Sequence, residues 1–248
     1  MSNFEFIPTE KQIEESNIFQ FMKKLNISSL DELTKKAKSE PEWFWKEVEK
    51  DIGIVWNTPY TTVKDDSKGI AKSRWFVNGY TNIYLSSVEK FAKQNPTKIA
   101  YHFVSEDGKN SQITYSELDS KVSKLANALK AIGVKKGDVV SIYLPMIEEA
   151  ILAILASAKI GAIQTVIFSG YSSESLHIRL QDCKSKILFI SDGFYRKGKP
   201  VSQKQIVETA IIDTMIEKII VIPYKEIDDY NESEKLIFYN NLVSTQSN

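Results

Sequence analysis

The stretch DVVSIYLPMIEEAILAILASAKIGAIQTVIF, residues 138–168, decides the fold. It begins with an apolar run at 138–144, continues as an Ala-, Ile- and Leu-rich segment at 147–160, and ends in a second apolar run at 162–168. Apolar strands without polar alternation are typical of sheets that are covered on both faces. Strand–helix–strand units of this length favour right-handed crossovers between parallel strands. The segment therefore predicts an α/β fold.

The same alternation continues downstream. Helices are predicted at 173–183 and 203–216, and strands at 186–191 and 218–222. The tail from 224 is polar apart from LIFY at 236–239, and is predicted to form a helix and a frayed end. The fold class is thus α/β, with an incomplete doubly wound, mostly parallel sheet and flanking helices, preceded by a helical and irregular N-terminal cap.

Upstream of the sheet, a hairpin and a long helix are predicted. A strand at 99–104, a turn at 106–108 and a returning strand at 111–115 form the hairpin. Five apolar residues spaced 4, 3, 4 and 3 apart then mark one core-facing stripe of a helix that Gly133 stops. These stripe residues are Leu118, Val122, Leu125, Leu129 and Ile132.

The first 81 residues lack this strand–helix alternation. Ser29 with Glu32 predicts a capping box, and Pro41 suits the first position of a second helix. The consecutive large residues WFW at 43–45 cannot all face one side, and residues 55–80 are predicted to be an extended connection held by aromatic side chains. We expect a loose arm at 1–15, a cap at 16–81, the sheet domain at 82–240 and a tail at 241–248.

Composition excludes several classes of protein. The chain of 248 residues has 32 basic and 32 acidic residues, so it has no net charge that would hold nucleic acid or an anionic membrane. The single cysteine, Cys183, excludes an internal disulfide, and His102 and His177 form no metal-ligand pattern. No run of 18 apolar residues and no signal-peptide pattern occurs. The expected location is the cytoplasm.

Two strand ends are candidate ligand sites, because open parallel sheets bind ligands beyond the carboxyl ends of their strands. The first is VIFSGYSSE at 166–174, where a glycine permits close approach and a serine can cap the next helix. The second is SDGFYRKGK at 191–199, with three basic residues beside two aromatic ones. From the residues alone, a structural turn and a solvated charged loop remain the competing interpretations.

Other chemistries lack their motifs. No G-x-x-x-x-G-K-[ST] loop, G-x-G-x-x-G fingerprint, G-x-S-x-G elbow or H-E-x-x-H is present. A nicotinamide-dependent oxidoreductase has the right kind of sheet but requires the missing glycine fingerprint. The acidic pairs at 148–149 and 228–229 lie in surface-like contexts and are expected to be solvated.

An ordered series of motifs over roughly residues 15–240 resembles the acetyl-CoA synthetase type of AMP-forming acyl-CoA synthetases, in the adenylate-forming superfamily. Each motif is weak alone, but their order is specific. The strings are EPEWFW at 40–45, RWFVNGYTN at 74–82, ITYSEL at 113–118, GVKKGDVV at 133–140, YLPM at 143–146, GAI at 161–163 and VIFSGYS at 166–172.

The resemblance implies that both strand ends contact coenzyme A. The implied contacts are Phe168, Ser169, Gly170, Arg196 and Lys199, with Arg196 near the adenine or the 3′-phosphate and Lys199 facing phosphate. Ser169 stands where the family usually has a second glycine, and Lys199 where it usually has an arginine. Lysine keeps the charge but loses the bidentate fork, so the coenzyme A contact is expected to be weakened or altered.

The family's phosphate loop, acyl pocket, ribose-binding acid and catalytic lysine all come later than residue 248. We therefore expect the N-terminal portion of a synthetase for acetate or another short acid, contributing part of the coenzyme A site, with no catalytic residue and no activity alone. ATP and magnesium would serve only a complete enzyme, and a second chain would carry the remainder. The alternative is a non-catalytic remnant or a module that binds coenzyme A or nucleotide.

Overall fold

The protein is described here from a computed structural model that covers residues 6–105, 108 and 110–247. The chain divides into two compact units, Met1–Thr81 and Asn82–Asn248. The expected turn at 106–108 lies mostly outside the described residues, as do the first five residues of the expected arm and the last residue of the expected tail.

Four helices begin the N-terminal unit: α1 (Glu10–Glu14), α2 (Asn17–Lys24), α3 (Leu30–Ser39) and α4 (Pro41–Ile52). The expected loose arm therefore contains one short helix, because Thr9 and Gln12 close a capping box at its start. Helices α2 to α4 share a small apolar core. Its buried residues are Phe21, Met22, Ile27 and Leu33, with Trp43 and Phe44 packed against them.

The helix caps agree with the sequence in part. Ser29 accepts a hydrogen bond from the Glu32 backbone N–H at 3.1 Å, and Pro41 begins α4, as predicted. The predicted capping box is wrong in its second half. The Glu32 carboxylate accepts instead from the backbone and hydroxyl of Ser28, at 3.0 and 2.6 Å, because that neighbour offers two donors.

Short strands replace the expected extended connection. They are β1 (Trp56–Thr58), β2 (Thr62–Asp65), β3 (Arg74–Val77) and β4 (Tyr80–Thr81), with antiparallel pairs β1–β4 and β2–β3 and a 3₁₀ turn at Ile70–Lys72. Aromatic contacts hold this segment, as predicted. Trp56, Tyr60 and Phe76 pack with ring centroids 5.1–5.7 Å apart. Trp45, which cannot face the same side as Trp43, packs on Trp75.

The C-terminal unit contains the sheet. A π-helical turn at Leu85–Glu89 leads into the remaining elements. These are α5 (Lys90–Gln94), β5 (Ile99–Val104), β6 (Asn110–Thr114), α6 (Tyr115–Ala131), β7 (Val139–Tyr143), α7 (Glu148–Lys159), β8 (Ile163–Val166), α8 (Ser173–Asp182), β9 (Ile187–Ser191), β10 (Phe194–Arg196), β11 (Lys199–Val201), α9 (Lys204–Ala210), β12 (Lys218–Ile222), β13 (Leu236–Phe238) and α10 (Tyr239–Ser244).

Five strands form the main sheet in the order β13-β12-β9-β7-β8, and every neighbouring pair is parallel. The chain runs from β7 outward to β8, and then crosses back to add β9, β12 and β13 on the other side. The direction of winding therefore reverses between β7 and β9, which is where such sheets bind ligands. The α/β class and the parallel sheet are confirmed.

Helices cover both faces of this sheet. Alternate strand residues such as Ile142 and Phe189 pack against α6, α7 and α10, where the predicted stripe from Leu118 to Leu129 is buried. The intervening residues, including Tyr143 and Ile190, pack against α8 and α9. Burial on both faces explains why the strands are apolar without alternation.

Three downstream expectations differ from the structure. The basic loop at 194–201 is an antiparallel hairpin, β10–β11. Helix α9 ends at Ala210, before the left-handed Asp213, and not at 216. The LIF segment is a fifth parallel strand, with Ile219, Ile220 and Val221 opposite Leu236, Ile237 and Phe238, followed by α10. A three-residue apolar run does not distinguish strand from helix by periodicity.

Candidate functional site

A cleft of about 520 Å³ lies at the carboxyl ends of β7, β8, β9 and β12. Its size falls in the range of small-molecule sites. Its position beside the reversal between β7 and β9 is the one that the fold predicts. The lining residues are Val104, Ser105, Pro145, Met146, Ser169, Phe194, Tyr195, Gly198, Tyr224 and Lys225.

The loop after β8 presents two aromatic residues, Phe168 and Tyr171, to solvent and has no room for a side chain at Gly170. Phe168 is 57% exposed, whereas Ser169 is buried and lines the cleft. A Cβ on Gly170 would lie 2.6 Å from Phe168 Cε1 and 3.1 Å from Arg196 Nη1. Glycine at this position therefore lets the loop, the ring and the guanidinium meet. Ser172 then caps α8, accepting from the Ser175 N–H at 3.3 Å, as predicted.

The hairpin β10–β11 brings the two predicted basic contacts side by side. Arg196 is directly opposite Lys199 in the antiparallel register. The two residues between them, Lys197 and Gly198, have φ of 52° and 71°, so both lie in the left-handed region that a tight two-residue hairpin requires. The turn thus places three exposed cations, Arg196, Lys197 and Lys199, at the tip of a short arm.

Aromatic rings connect this arm to the loop after β8. The Arg196 guanidinium lies 5.9 Å from the centroid of the Phe168 ring. Phe168 meets Tyr171 edge to face at 5.6 Å, and the Arg179 guanidinium lies 4.4 Å from the Tyr171 centroid. The four side chains form a series in which two rings in contact lie between two cations, and we call this series the stacking ladder.

The predicted set is therefore brought together only in part. Phe168, Gly170 and Arg196 meet directly, Ser169 lines the cleft, and Lys199 is adjacent to Arg196 across the hairpin. Tyr171 lies in the predicted stretch 166–174 but is not among the predicted contacts, and Arg179 lies outside that stretch. Their spacing of eight residues across a helix start gives no signal that one will stack on the other.

The cations of the arm have no carboxylate partner among the described residues. Within the part of the chain that the structure describes, no ion pair includes Arg196, Lys197 or Lys199. Exposed cations that lack a carboxylate partner and lie next to an exposed aromatic ring suit an anionic ligand with a planar group.

Two carboxylates hold the base of the arm. Asp192 is buried, and its oxygens accept backbone N–H groups from Tyr224, Lys225 and Glu226, each at 2.9 Å. Asp228 accepts from the backbone N–H groups of Gln203 and Lys204, at 2.7 and 2.9 Å, where α9 begins. The expectation that Asp228 is simply solvated is therefore wrong, because it caps a helix.

The other acidic pair also differs from the expectation. Glu148 pairs with Lys121, and burial raises the pKa of Glu149 above its ordinary value.

A buried tyrosine, Tyr143, lies under the cleft. Burial raises the pKa of its hydroxyl, and a hydrogen bond with the Gln203 side chain opposes this effect.

The remaining singled-out residues have structural contacts. The Cys183 sulfur lies 3.9 Å from the Ser141 hydroxyl, and His177 Nδ1 lies 2.9 Å from the Ala210 carbonyl. Among residues 6–105, 108 and 110–247, no group of three His, Cys, Asp or Glu side chains is placed to hold a metal ion. Of the helices described, none is both long enough and apolar enough to cross a bilayer.

Comparison with known families decides the classification. The profile described as "AMP-binding enzyme" matches residues 88–241. The chain belongs to this family. A second profile, "Acetyl-coenzyme A synthetase N-terminus", matches residues 30–86, so this member of the AMP-binding enzymes corresponds to an N-terminal part of an acetyl-coenzyme A synthetase. The resemblance that the sequence motifs indicated is confirmed.

Individual relatives of this AMP-binding family member agree. An acetyl-coenzyme A synthetase of Methanothrix thermoacetophila is 40% identical over 94% of this chain and 36% of the relative. Acetyl-coenzyme A synthetase 2 of Saccharomyces cerevisiae is 40% identical over 75% of this chain and 27% of the relative. The solved acetoacetyl-CoA synthetase of Streptomyces lividans superposes with a TM-score of 0.88 at 25% identity, covering 97% of this chain and 38% of that one. The chain thus spans about a third of the length of these proteins.

Proposed function

We propose that this chain contributes part of the coenzyme A site of an AMP-forming acyl-CoA synthetase. The reaction proposed for the whole enzyme joins acetate or another short acid to coenzyme A, with conversion of ATP to AMP and pyrophosphate. In this proposal Phe168, Ser169, Gly170, Arg196 and Lys199 serve the coenzyme A nucleotide, and the adenylating groups belong to the remainder of the enzyme. We also propose that a second polypeptide supplies that remainder.

One observation carries the proposal: Arg196 lies over the exposed Phe168 ring without a carboxylate partner among the described residues. Coenzyme A has a planar adenine and phosphate groups on one nucleotide. A guanidinium binds phosphate through charge-assisted hydrogen bonds, and an exposed ring offers a stacking surface. Lys199, opposite Arg196 in the hairpin, adds a point charge.

The described residues suit a nucleotide that carries phosphate groups, as coenzyme A does. The stacking ladder and the cleft at the strand ends supply cations, rings and a concave surface. No cluster of acidic ligands accompanies them in the described part of the chain.

The test is a calorimetric titration of coenzyme A into the wild type and two variants. Arg196→Ala removes the guanidinium that lies on Phe168. A hydrogen bond to a charged group contributes about 1.5–3 kcal/mol, so affinity is expected to fall about 10- to 100-fold. Dephospho-coenzyme A, titrated in parallel, reports whether the 3′-phosphate contributes.

Lys197→Asn is the matched control. It removes one positive charge from the same turn, and asparagine tolerates the left-handed backbone that Lys197 adopts. We expect its affinity to stay within about twofold of wild type, which corresponds to about 0.4 kcal/mol. Equal losses in the two variants would indicate nonspecific attraction to a basic tip, and an unchanged Arg196→Ala would overturn the proposal.

A further inference from the structure

A buried amide lies beneath the arm. The Gln203 side chain has no solvent exposure and follows β11 by two residues. Its Oε1 accepts from the Ser191 backbone N–H at 3.1 Å and lies 2.6 Å from the Ser191 hydroxyl. Its Nε2 donates to the Tyr143 carbonyl at 3.3 Å. One side chain therefore joins the base of the hairpin to the carboxyl ends of β9 and β7.

A buried tyrosine extends this connection to the other loop. Tyr143 has no exposed surface, and its hydroxyl donates to the Tyr171 carbonyl at 2.7 Å. Tyr171 is the ring that packs against Phe168 in the stacking ladder. Hydrogen bonds thus run from the hairpin through Gln203 and Tyr143 to the loop after β8.

The connection joins the two segments whose relative position matters for the ladder. Arg196 is on the hairpin and Phe168 is on the loop, so their contact depends on the distance between two separate segments. Neither Gln203 nor Tyr143 is among the residues that line the cleft. A buried, fully bonded polar group holds its partners in one arrangement, since any displacement leaves a donor or an acceptor unpaired.

We infer that Gln203 and Tyr143 are positioning residues that fix Arg196 against Phe168, and so tune coenzyme A affinity without touching the ligand. This inference rests on the proposed function. It adds a role for Gln203, which lies in no quoted motif, and for Tyr143, whose motif indicates no role for it, and it defines the hairpin and the loop as one coupled unit.

The principal variant is Tyr143→Phe, which keeps the buried ring and removes only the hydroxyl that holds the Tyr171 carbonyl. Coenzyme A affinity is expected to fall about 3- to 10-fold, in line with the loss of one buried hydrogen bond. Gln203→Met, of similar length and without polar atoms, is expected to have an equal or larger effect because it breaks the connection at the hairpin.

Tyr230→Phe is the matched control. Tyr230 is also a buried tyrosine of this unit, and its hydroxyl has no hydrogen-bond partner among the described residues. Its removal is expected to leave coenzyme A affinity unchanged. A loss equal to that of Tyr143→Phe would show that buried tyrosine hydroxyls matter only for general stability, and would overturn the inference.

A double-mutant cycle separates positioning from general destabilisation. In an Arg196→Ala background, Tyr143→Phe is expected to lower affinity by less than twofold, because the group that it positions is already gone. A full, additive loss in that background would contradict a role through Arg196.

Hydrogen–deuterium exchange gives a readout that does not depend on ligand. Tyr143→Phe and Gln203→Met are expected to increase exchange in residues 168–172, whereas Tyr230→Phe is not. Unchanged exchange in all variants would overturn the coupling. A wild type that does not bind coenzyme A would overturn the proposed function and the ligand part of this inference together. Binding by the wild type with equal affinity in Tyr143→Phe would overturn the positioning role alone.

Discussion

The two edges of the main sheet treat their charged residues in opposite ways. At the amino edge, Asp138 accepts the Lys135 backbone N–H at 2.9 Å and pairs with Lys186 at 2.7 Å, just before β7 and β9. At the carboxyl edge, Arg196 and Lys199 project from the arm, and no described carboxylate pairs with either. Two carboxylates at that edge, Asp192 and Asp228, accept backbone N–H groups.

The difference indicates which edge serves a ligand. Charged residues with only a structural role can pair with one another, as Asp138 and Lys186 do at the amino edge. At the carboxyl edge, Asp192 and Asp228 accept hydrogen bonds from the backbone, whereas Arg196 and Lys199 have no carboxylate partner among the described residues. This arrangement supports the proposal that the carboxyl edge binds an anion, although the chain has no net charge.

The largest expected difference between the edges concerns two glycines with positive φ. Gly193 follows β9 with φ of 120°, and an added Cβ would lie 2.7 Å from Ile227 Cβ. Gly137 precedes β7 with φ of 88°, and an added Cβ would have no neighbour within 4 Å. Gly193→Ala is expected to destabilise by about 3 kcal/mol through strain and overpacking, and Gly137→Ala by about 1 kcal/mol through strain alone.

Urea unfolding of both variants checks this pair. Similar losses would show that the base of the arm is no more tightly packed than the amino edge. That result would remove the structural reason for treating the hairpin as a rigid support.

A second prediction sharpens the role of the carboxyl edge. Lys199→Arg replaces a point charge by a planar fork, which binds phosphate through two hydrogen bonds. Coenzyme A affinity is expected to rise about threefold, which corresponds to about 0.65 kcal/mol. Calorimetric titration measures the change, and Lys130→Arg on the distant helix α6 serves as the control. Weaker binding by Lys199→Arg would show that Lys199 does not face phosphate.

The smallest expected effect is at the amino edge and depends on pH. The Lys186 ammonium, followed by the Lys135 backbone N–H, lowers the pKa of Asp138 below its ordinary value. A lowered folded-state pKa stabilises the fold at pH values above the unfolded pKa of about 4, and that stabilisation is lost as the pH falls through the folded pKa. Asp138→Asn is therefore expected to lower Tm slightly at pH 7.

Thermal unfolding between pH 7 and pH 3 follows this effect. The difference between wild type and Asp138→Asn is expected to stay constant down to about pH 5 and to shrink below about pH 4. A difference that grows on acidification would mean that the pair does not stabilise the fold in its ionised form.

Sequence reasoning succeeded where one strong physical pattern governs a segment. The apolar runs and the stripe from Leu118 to Leu129 determine β7, β9 and α6, since burial of these residues has one compatible arrangement. It failed at Leu236–Phe238, where three apolar residues suit a strand or a helix and the pairing with β12 decides.

From the sequence, only those residues of the candidate site that match family motifs could be predicted. The resemblance indicated Phe168, Gly170 and Arg196, which meet in space. Gln203 and Arg179 lie in none of the quoted motifs, and the motifs that contain Tyr143 and Tyr171 do not indicate their contacts, because the partners of these residues depend on tertiary packing. Contacts that depend on tertiary packing cannot be read from spacing along the chain.

The central claim is that coenzyme A binds at the carboxyl edge of the sheet, and amide ¹H–¹⁵N NMR spectra recorded during a coenzyme A titration test it most directly. We expect saturable shifts of the amide signals at 168–172 and 194–201, with little change at 135–138 and 184–186. Shifts confined to the amino edge, or no shifts at millimolar coenzyme A, would contradict it.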